Sequence, residues 1–473
     1  MLSGGSTIFR GLCLLSLMIS CRPAGQLPID RQALVYRHPV INDHLDPMSA
    51  LSLGNGKFAF TVDATGLQTF PEVYLNGVSL GTFSEWGWHS FPDTAGFRFE
   101  ETLKQVDFHG RRISYDVQWD QPGRNREASG YFRQNPHRMH LGRIGLRIFH
   151  NNGSPVKPEE LKGIRQQLNL WEGIIYSRFI IDEDSVCVTT FCHPEEDVVA
   201  ARIISPLLTE KRIQVELAFP YPSGGHVDDG CDWISPEKHT SLIKRIPMGA
   251  QITRIVDSAV YYVRIGWNGK GEISESAPHH YVLTPASGEN ELSFTCRFSA
   301  ADQEKDLPGF DASHKLNLHS WETFWKSGGA VDFSGSTDAR ASELERRVVL
   351  SQYLTRIQCG GLYPPQETGL TFNSWYGKFH LEMHWWHAVH FALWDRTSLM
   401  EKSLDWYRQI YPKARAVAQR QGFRGVRWPK MTAPDGINSP SSVGSFLIWQ
   451  QPHFIYLAEL CYRDHPDNLT LKK

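Results

Sequence analysis

Residues 51–62 read Leu-Ser-Leu-Gly-Asn-Gly-Lys-Phe-Ala-Phe-Thr-Val, two strand-forming runs on either side of Gly54-Asn55-Gly56. An Asn-Gly pair between two such runs is the strongest short-range signal for a β-hairpin. Similar runs, with almost no helical period, recur as far as about residue 315, at 72–75, 112–117, 144–148, 174–180, 186–191, 212–217, 261–265 and 292–296. A region of this length and pattern predicts a large antiparallel β-sandwich over residues 26–315.

The hydrophobic period changes to that of a helix after a linker predicted at residues 316–340, in which 320–325 form a short helix. Residues 341–358 place leucine, valine and isoleucine side chains on one helical stripe, which stops at Gly360-Gly361. Three further helices are predicted, at 382–394, 397–421 and 441–463. The segments between them are long and rich in tryptophan and polar residues, unlike the loops of a small bundle.

The amino-acid composition limits the kinds of molecule that this protein can bind. The chain has 473 residues, of which 41% are hydrophobic and 21% charged, so it can bury a large core and is not a disordered chain. Lys plus Arg is 49 against 51 for Asp plus Glu, and this balance argues against a nucleic-acid partner. Tryptophan occurs 15 times. Its flat, amphipathic ring suits sugar surfaces as well as protein cores.

The first 25 residues are predicted to be a secretory signal. Arg10 precedes an apolar run at 11–20 that is too short to span a bilayer. Cys21 follows Leu17-Met18-Ile19-Ser20, a loose match to the lipoprotein box, in which the cysteine becomes the lipid anchor. We therefore expect a periplasmic or outer-membrane lipoprotein of the cell envelope, with simple secretion as the alternative.

The six later cysteines match no zinc pattern. Cys187 and Cys192 lie in one predicted strand at a separation that does not allow a disulfide, so we expect buried free thiols. No metal and no cofactor is expected.

The densest group of chemically active residues lies at 373–387, Asn-Ser-Trp-Tyr-Gly-Lys-Phe-His-Leu-Glu-Met-His-Trp-Trp-His. Three interpretations are open. His380, His384 and His387 would share a helical stripe and could hold a metal, but Glu382 falls outside the His-Glu-x-x-His arrangement. The side chains could equally belong to a buried helix, although so many polar groups are costly to bury. In the third interpretation they form a sugar subsite, with the substrate contacts Trp375, Lys378, His380, His384 and Trp385 and the carboxylate Glu382.

Two more clusters of polar and aromatic residues fall at predicted helix ends or breaks. Residues 422–431 form a turn with cations and a tryptophan, and residues 448–453 contain amides and an imidazole next to Pro452, which would interrupt a helix. Each cluster alone is a weak signal. Together they favour a ring of helices with a binding site on one rim, to which these clusters contribute Arg427, Trp428, Lys430, Gln450, Gln451 and His453.

These segments resemble glycoside hydrolase family 65 and its six-hairpin relatives. The resemblance rests on Leu53-Gly54-Asn55-Gly56 and on the aromatic-acidic segment after the linker, where the family has Phe-Trp-Asp-x-Glu. It places Glu382 at the sugar-gripping aspartate and His384 at the following glutamate. It likens 425–429 to the family's Gly-Ala-x-x-Pro-Trp turn and Gln450 to His453 to a polar stretch that contacts sugar.

The resemblance implies a galactose-mutarotase-like β-sandwich followed, at 341–473, by a partial (α/α)6 toroid. It implies that the general-acid glutamate lies in the second half of the toroid, outside this sequence, so we expect a truncated chain that can be inactive. Glu382 is then the best local candidate for a catalytic carboxylate. Six-hairpin relatives are often dimers, which leaves a homodimer open.

The function expected from this resemblance is that of an inverting glycoside hydrolase acting on oligosaccharides. The alternative is a non-catalytic glycan-binding lipoprotein of the envelope, in which the tryptophan-rich clusters would still stack on sugar. A structural β-sandwich adhesin would account for the first part of the chain but not for the polar rim.

Overall fold

A computed structural model describes residues 28–119, 122–303 and 305–472. The predicted signal at 1–25 and its Cys21 lie outside these residues. Within the described ranges, no helix combines the length and apolar character needed to cross a bilayer.

The first two thirds of the chain are built mainly of strands. In chain order they are β1 Val40–Asn42, β2 Leu51–Gly54, β3 Phe58–Val62, β4 Thr82–Ser84, β5 Trp88–His89, β6 Lys104–Phe108, β7 Arg111–Tyr115, β8 His137–Arg138, β9 Arg143–Ile148, β10 Lys162–Asn169, β11 Ile174–Ile181, β12 Asp184–Cys192, β13 Val198–Ile204, β14 Ile213–Ala218, β15 Tyr221–Pro222, β16 Cys231–Asp232, β17 His239–Ile246, β18 Gly249–Val256, β19 Ala259–Trp267, β20 Gly271–Ala277, β21 His280–Pro285 and β22 Glu291–Ser299. Three short helices interrupt them, α1 Arg31–Tyr36, α2 Pro71–Tyr74 and α3 Arg124–Gln134.

One antiparallel sheet of nine strands dominates this region, in the order β1-β10-β11-β12-β13-β22-β19-β18-β17. A second sheet has the order β20-β21-β14-β9, and a third has the order β2-β3-β4. Apolar side chains of all three sheets, among them Phe60, Val199 and Leu217, belong to one buried cluster. The predicted large antiparallel β region is therefore confirmed.

The hairpin predicted at residues 51–62 is present. β2 and β3 pair with Gly54 opposite Ala59. The Asn55 side-chain oxygen accepts hydrogen bonds from the backbone N–H groups of Lys57 (3.1 Å) and Phe58 (2.9 Å), while its amide nitrogen donates to a neighbouring loop. Gly56 takes a φ of 99°, which a side chain would disfavour. The turn is thus held by a side chain as well as by its glycine.

The last third of the chain is helical. Its helices are α4 Phe310–Lys326, α5 Ala341–Cys359, α6 Leu381–Leu393, α7 Thr397–Arg420, α8 His453–Asp464 and α9 Asn468–Lys472, and the short strands β23 Phe379–His380 and β24 Met431–Thr432 lie between them. Helices α6, α7 and α8 pack around a second buried cluster that includes Leu381, Trp406 and Leu457. The helical character of this region is confirmed, whereas the closed (α/α)6 arrangement stays a prediction.

Helices α4 and α5 pack mainly on the β region, while Cys359 at the end of α5 belongs to the second buried cluster. Trp321 of α4 and Tyr353 and Ile357 of α5 belong to the first buried cluster. Tyr353 also donates a hydrogen bond of 3.0 Å to the backbone oxygen of Ser52 in β2. The interior of the β region therefore continues through both helices.

Several predicted elements were wrong in kind or extent. Residues 72–75 are not a strand, because Pro71 begins the helix α2 and supplies its fixed φ at the first turn. The helix predicted at 441–463 begins only at His453, since Pro452 precedes it, and a 3₁₀ turn at Gly444–Phe446 takes its earlier part. The linker helix is also longer than predicted, Phe310–Lys326 instead of 320–325.

Candidate functional site

The predicted site segments meet where the β region adjoins the helices. Strands β23 and β24 pair, with His380 opposite Met431, and this pairing brings 373–387 next to 427–432. A loop of the β region reaches the same place, because Val227 bridges Ser374 and Tyr376 N–H donates to the His226 oxygen at 3.1 Å. Three segments distant in sequence thus converge on Trp375.

The backbone at Trp375 is held in an uncommon conformation. Trp375, Tyr376 and Gly377 have φ values of 52°, 62° and 68°, three consecutive residues in the left-handed region. For a residue with a side chain this region costs about 1–2 kcal/mol. At Gly377 a Cβ would come within 2.2 Å of the Arg138 Cβ, so only glycine fits there. The contacts with the 223–230 loop hold this strained turn in place.

Nitrogen-bearing side chains surround the Trp375 indole. The ring centroids of His226 and His380 lie 4.4 Å and 5.5 Å from it. The Lys430 ammonium and the Arg133 guanidinium lie 5.2 Å and 5.6 Å from its centroid. Trp375 is half-buried and His226 is exposed, so the site opens to solvent on the side of the 223–230 loop.

Glu382 lies in the first turn of α6, and both of its carboxylate oxygens are engaged. Lys430 Nζ lies 2.8 Å from Oε1, and Trp449 Nε1 donates to Oε2 at 3.0 Å. The Glu382 and Lys430 side chains are 13% and 15% exposed, so water can still reach the pair. The carboxylate is also favoured at this end of the helix by the helix dipole.

His380 is fully buried, and neither of its ring nitrogens has a hydrogen-bond partner among the described residues. Glu367 Oε2 lies 3.7 Å away and is likewise without a partner in the described part of the chain. Burial, reinforced by the positive charge of Lys430, holds the pKa of His380 well below its usual value. The imidazole is therefore neutral, and the buried polar atoms beside Trp375 are costly to leave unmatched.

Two other predicted contacts have protein partners in this structure. The buried Lys378 ammonium donates to Phe132 O, Asn135 O and Ser439 Oγ at 2.8–3.1 Å, and burial lowers its pKa to about 7. His384 lies between Tyr407 Oη (3.0 Å) and Ser403 Oγ (2.9 Å), and burial lowers its pKa to about 3. The groups predicted to contact sugar here already bind the protein.

The remaining predicted residues near Glu382 and Lys430 form hydrogen bonds with the backbone of neighbouring segments. Gln451 Oε1 accepts from Trp428 N–H (2.9 Å), Gln450 Nε2 donates to Leu447 O (3.1 Å), and His453 Nδ1 lies 3.1 Å from Leu381 O. Arg427 donates to the backbone oxygens of Ser445 and Leu447. A cavity of only about 20 Å³ lies among Arg427, Trp428, Lys430 and Gln450, so these residues support the site without a space for a sugar ring.

Trp385 lies apart from Trp375. Its ring contacts Trp386, at 4.8 Å between centroids, and Tyr456 of α8, at 6.2 Å. The structure therefore brings together Trp375, His380, Glu382 and Lys430, whereas the Trp385 ring packs against Trp386 and Tyr456. The roles assigned to all these residues stay predictions.

Arg133, His226 and Trp449 belong to the site but were not among the predicted contacts. Arg133 lies on α3, in a stretch where strand periodicity gave no sign of a helix. His226 follows Gly224-Gly225, a turn signal that could have marked a reaching loop. Trp449 adjoins the predicted Gln450 and could have been included on that ground.

A larger surface cavity, of about 670 Å³, lies on the β region among residues of β13, β17, β19 and β22 and the start of α4. Its lining includes Trp267 and Phe310, but its arginines are engaged: Arg202 pairs with Asp311 at 2.8 Å, and Arg264 donates to backbone oxygens. It contains none of the predicted site residues.

No protein-family model and no curated protein is matched by this sequence. Among solved structures, the one named "Putative kojibiose phosphorylase from human microbiome" matches 91% of this chain with a TM-score of 0.62 at 11% identity. This chain spans 57% of the length of that protein. The expected likeness to the family 65 glycosidase fold is thus confirmed as a likeness of fold, at low sequence identity.

Two further structures overlap over similar lengths. A bacterial glucoamylase complexed with acarbose has a TM-score of 0.44 at 9% identity, over 90% of this chain and 60% of its own. A family 92 α-mannosidase from Bacteroides thetaiotaomicron, in complex with mannoimidazole, has a TM-score of 0.28 at 9% identity, over 91% and 55%. TM-scores this low do not establish a shared fold.

Proposed function

We propose that this protein binds an oligosaccharide at Trp375 and Glu382 and that it belongs to a glycosidase-like enzyme. The observation that carries the proposal is the Glu382 carboxylate, fixed by Lys430 and Trp449 beside the Trp375 indole. The likeness of fold to a protein named as a kojibiose phosphorylase supports it.

In this proposal the Trp375 indole and the Glu382 carboxylate together bind one sugar ring. An indole offers a flat apolar face to the C–H groups of a pyranose, and its electron-rich ring tolerates their partial positive charge. An ionised carboxylate has about four lone-pair sites, and Glu382 uses two of them for Lys430 and Trp449. The remaining sites can accept hydrogen bonds from sugar hydroxyls. The carboxylate is already fixed before the ligand arrives, which lowers the entropic cost of binding.

The proposed reaction is hydrolysis with inversion. One carboxylic acid protonates the glycosidic oxygen while a carboxylate activates water on the opposite face, and the two groups stand about 6.5–9.5 Å apart. With an ammonium group 2.8 Å away, Glu382 is suited to hold the sugar as an acceptor rather than to donate a proton. In this proposal the proton donor belongs to another part of the complete enzyme.

The proposal also covers location. The signal predicted at 1–25 and the anchor predicted at Cys21 would place the protein in the cell envelope. Hydrolysis is favoured there over phosphorolysis, because phosphorolysis is most useful where the sugar phosphate stays in the cytoplasm.

The test is titration calorimetry with α- and β-linked gluco- and galacto-oligosaccharides, together with assays of released sugar. We expect Glu382→Gln to weaken binding about tenfold, the loss of one charge-assisted hydrogen bond. Glu459→Gln is the matched control, since Glu459 pairs with Arg463 on the exposed face of α8. Unchanged binding by Glu382→Gln would contradict the proposed site. Binding without turnover would favour the glycan-binding alternative over the enzyme.

A further inference from the structure

Arg133 is a cation beside Trp375 for which the described residues supply no paired carboxylate. Its guanidinium lies over Trp375 and, at 5.8 Å, over Trp119. One N–H group donates to Pro440 O at 2.9 Å, and the Tyr376 hydroxyl is adjacent. Among the described residues, no carboxylate oxygen lies within 4.0 Å of it. Arg133 is only partly exposed, so its charge is incompletely hydrated.

The other charged and titratable groups at the site do not change this balance. Lys430 is neutralised by Glu382 at 2.8 Å. Glu367 lies on the buried side, 3.7 Å from His380. His226 is exposed on the solvent side of the indole and adds a second donor there. The 223–230 loop also carries two acids: Asp228 accepts hydrogen bonds from Ser223 Oγ and from Asn373 Nδ2 (3.1 Å), and Asp229 accepts one from the Cys231 N–H group. Among the described residues, neither carboxylate lies within 4.0 Å of Arg133 or His226.

A purely structural role would explain part of this arrangement. Stacking on two indoles stabilises a guanidinium, and a cation in the last turn of α3 interacts well with the helix dipole. Arginine, however, has five N–H donors in a planar fork, and the contacts of Arg133 with Pro440 and Tyr376 use only a small part of them. A flat fork with free donors beside a sugar-stacking indole matches a bidentate oxyanion.

We propose that the sugar bound at Trp375 carries an anionic substituent, the carboxylate of a uronic acid, which Arg133 binds with the help of His226. This inference rests on the proposed function and specifies its substrate class as acidic oligosaccharides. A sulfate ester shares the oxyanion chemistry and is distinguished by the experiment. Arg133 selects by charge, whereas Glu382 and Lys430 hold the hydroxyl groups that acidic and neutral sugars share.

The experiment compares sugars that differ only at C6, using titration calorimetry on the full chain. The pairs are D-galacturonate with D-galactose and D-glucuronate with D-glucose. Galactose 6-sulfate tests the ester, and sodium sulfate tests an anion without a sugar. We expect one uronate to bind at least about tenfold more tightly than its neutral partner, as a charge-assisted bidentate contact predicts. The preference should shrink when NaCl is raised to about 0.5 M, since the site is partly exposed.

Substitutions distinguish the effect of the positive charge at Arg133 from the effect of its planar guanidinium. Arg133→Gln should reduce the uronate-to-neutral affinity ratio about tenfold, and Arg133→Lys should restore part of it. His226→Ala, at an exposed position, should reduce the ratio without disturbing the fold. Arg126→Gln, on the exposed face of the same helix, is the control and should leave the ratio unchanged. The His226 and Arg126 variants keep the test decisive if Arg133→Gln fails to fold.

Each outcome is decisive. Equal affinity for the acidic and neutral members overturns this inference and leaves the proposed function standing. Binding of neither member overturns both. Tighter binding of galactose 6-sulfate than of any uronate overturns the assignment to a carboxylate, and binding of sodium sulfate as tight as that of the uronates overturns the assignment to a sugar.

Discussion

Lys430 Nζ lies 2.8 Å from Glu382 Oε1, and this ion pair joins the first turn of α6 to the residue that precedes β24. Because both side chains are only about one seventh exposed, the pair is screened less than a surface salt bridge. It fixes the position of the carboxylate in the absence of any ligand.

The first prediction follows from that pair. Lys430→Met should weaken oligosaccharide binding about tenfold, as Glu382→Gln does, because each change releases the partner group from its fixed position. The double variant should lose little more than either single variant, since both changes remove one shared interaction. Calorimetric titration of all four proteins measures this coupling. Additive losses would show that the two side chains act independently.

The second prediction concerns the strained turn. Gly377→Ala should lower the free energy of unfolding by about 3 kcal/mol or more, because a side chain at φ 68° would meet the Arg138 Cβ. Gly425→Ala is the matched control: Gly425 has a φ of 82° but open space around it, so only the backbone cost of about 1 kcal/mol remains. Urea unfolding measures both. Equal effects would contradict the close approach at Gly377.

The third prediction uses a buried carboxyl group. Glu85 accepts hydrogen bonds from the N–H groups of Leu362 (2.8 Å) and Tyr363 (3.2 Å), and burial raises its pKa from 4.5 to about 7. The folded protein therefore holds this proton more tightly than the unfolded chain. Its contribution to stability is complete below pH 4.5 and is lost as the pH rises toward about 7.

Glu85→Gln should remove that dependence. Relative to the wild type, the variant should gain on the order of 3 kcal/mol between pH 4.5 and pH 8, as the shift in pKa requires. Urea unfolding at a series of pH values between these limits provides the measurement. Parallel pH profiles for the two proteins would show that the Glu85 pKa is the same in both states.

The fourth prediction tests the hairpin turn. Asn55→Ala should destabilise the protein by about 2–4 kcal/mol, because it removes four hydrogen bonds and leaves the backbone N–H groups of Lys57 and Phe58 unmatched. Asn152→Ala provides the comparison, since Asn152 is exposed and, within the described ranges, its side chain accepts only from Ser154. We expect it to cost less than about 1 kcal/mol in the same urea assay.

Much of the fold could be predicted from local patterns. Asn55-Gly56 marks its hairpin because the turn chemistry is contained in a few neighbouring residues. The helix predicted at 341–358 differs from α5 by one residue, because its apolar stripe and its glycine stop are both local. The failure at 72–75 has a local cause as well: Val73 and Tyr74 favour strands, but Pro71 starts a helical turn.

The site was less predictable, because burial depends on partners far away in sequence. The composition of residues 373–387 predicts a sugar site. Two of these side chains are buried and bonded to the protein instead: Lys378 donates to Phe132 O, and His384 lies between Tyr407 and Ser403. Arg133 and His226 reach Trp375 from the β region, more than 140 residues earlier in the chain. The Gly224-Gly225 pair before His226 indicates a turn, but no local pattern shows that either side chain reaches Trp375.

Because α4 and α5 share the buried cluster of the β region, we expect these helices and the strands to unfold together. Trp321 lies against the Gly173 turn, where a Cβ would meet its indole nitrogen, and Trp325 donates to Leu170 O at 2.8 Å. Removal of the chain after residue 315 would therefore expose apolar side chains of the β region to solvent. Removal of the chain after Cys359 would leave the buried cluster of the β region covered. Helices α6–α8 surround a separate buried cluster, so we expect substitutions inside that cluster to leave the packing of α4 and α5 on the strands unchanged.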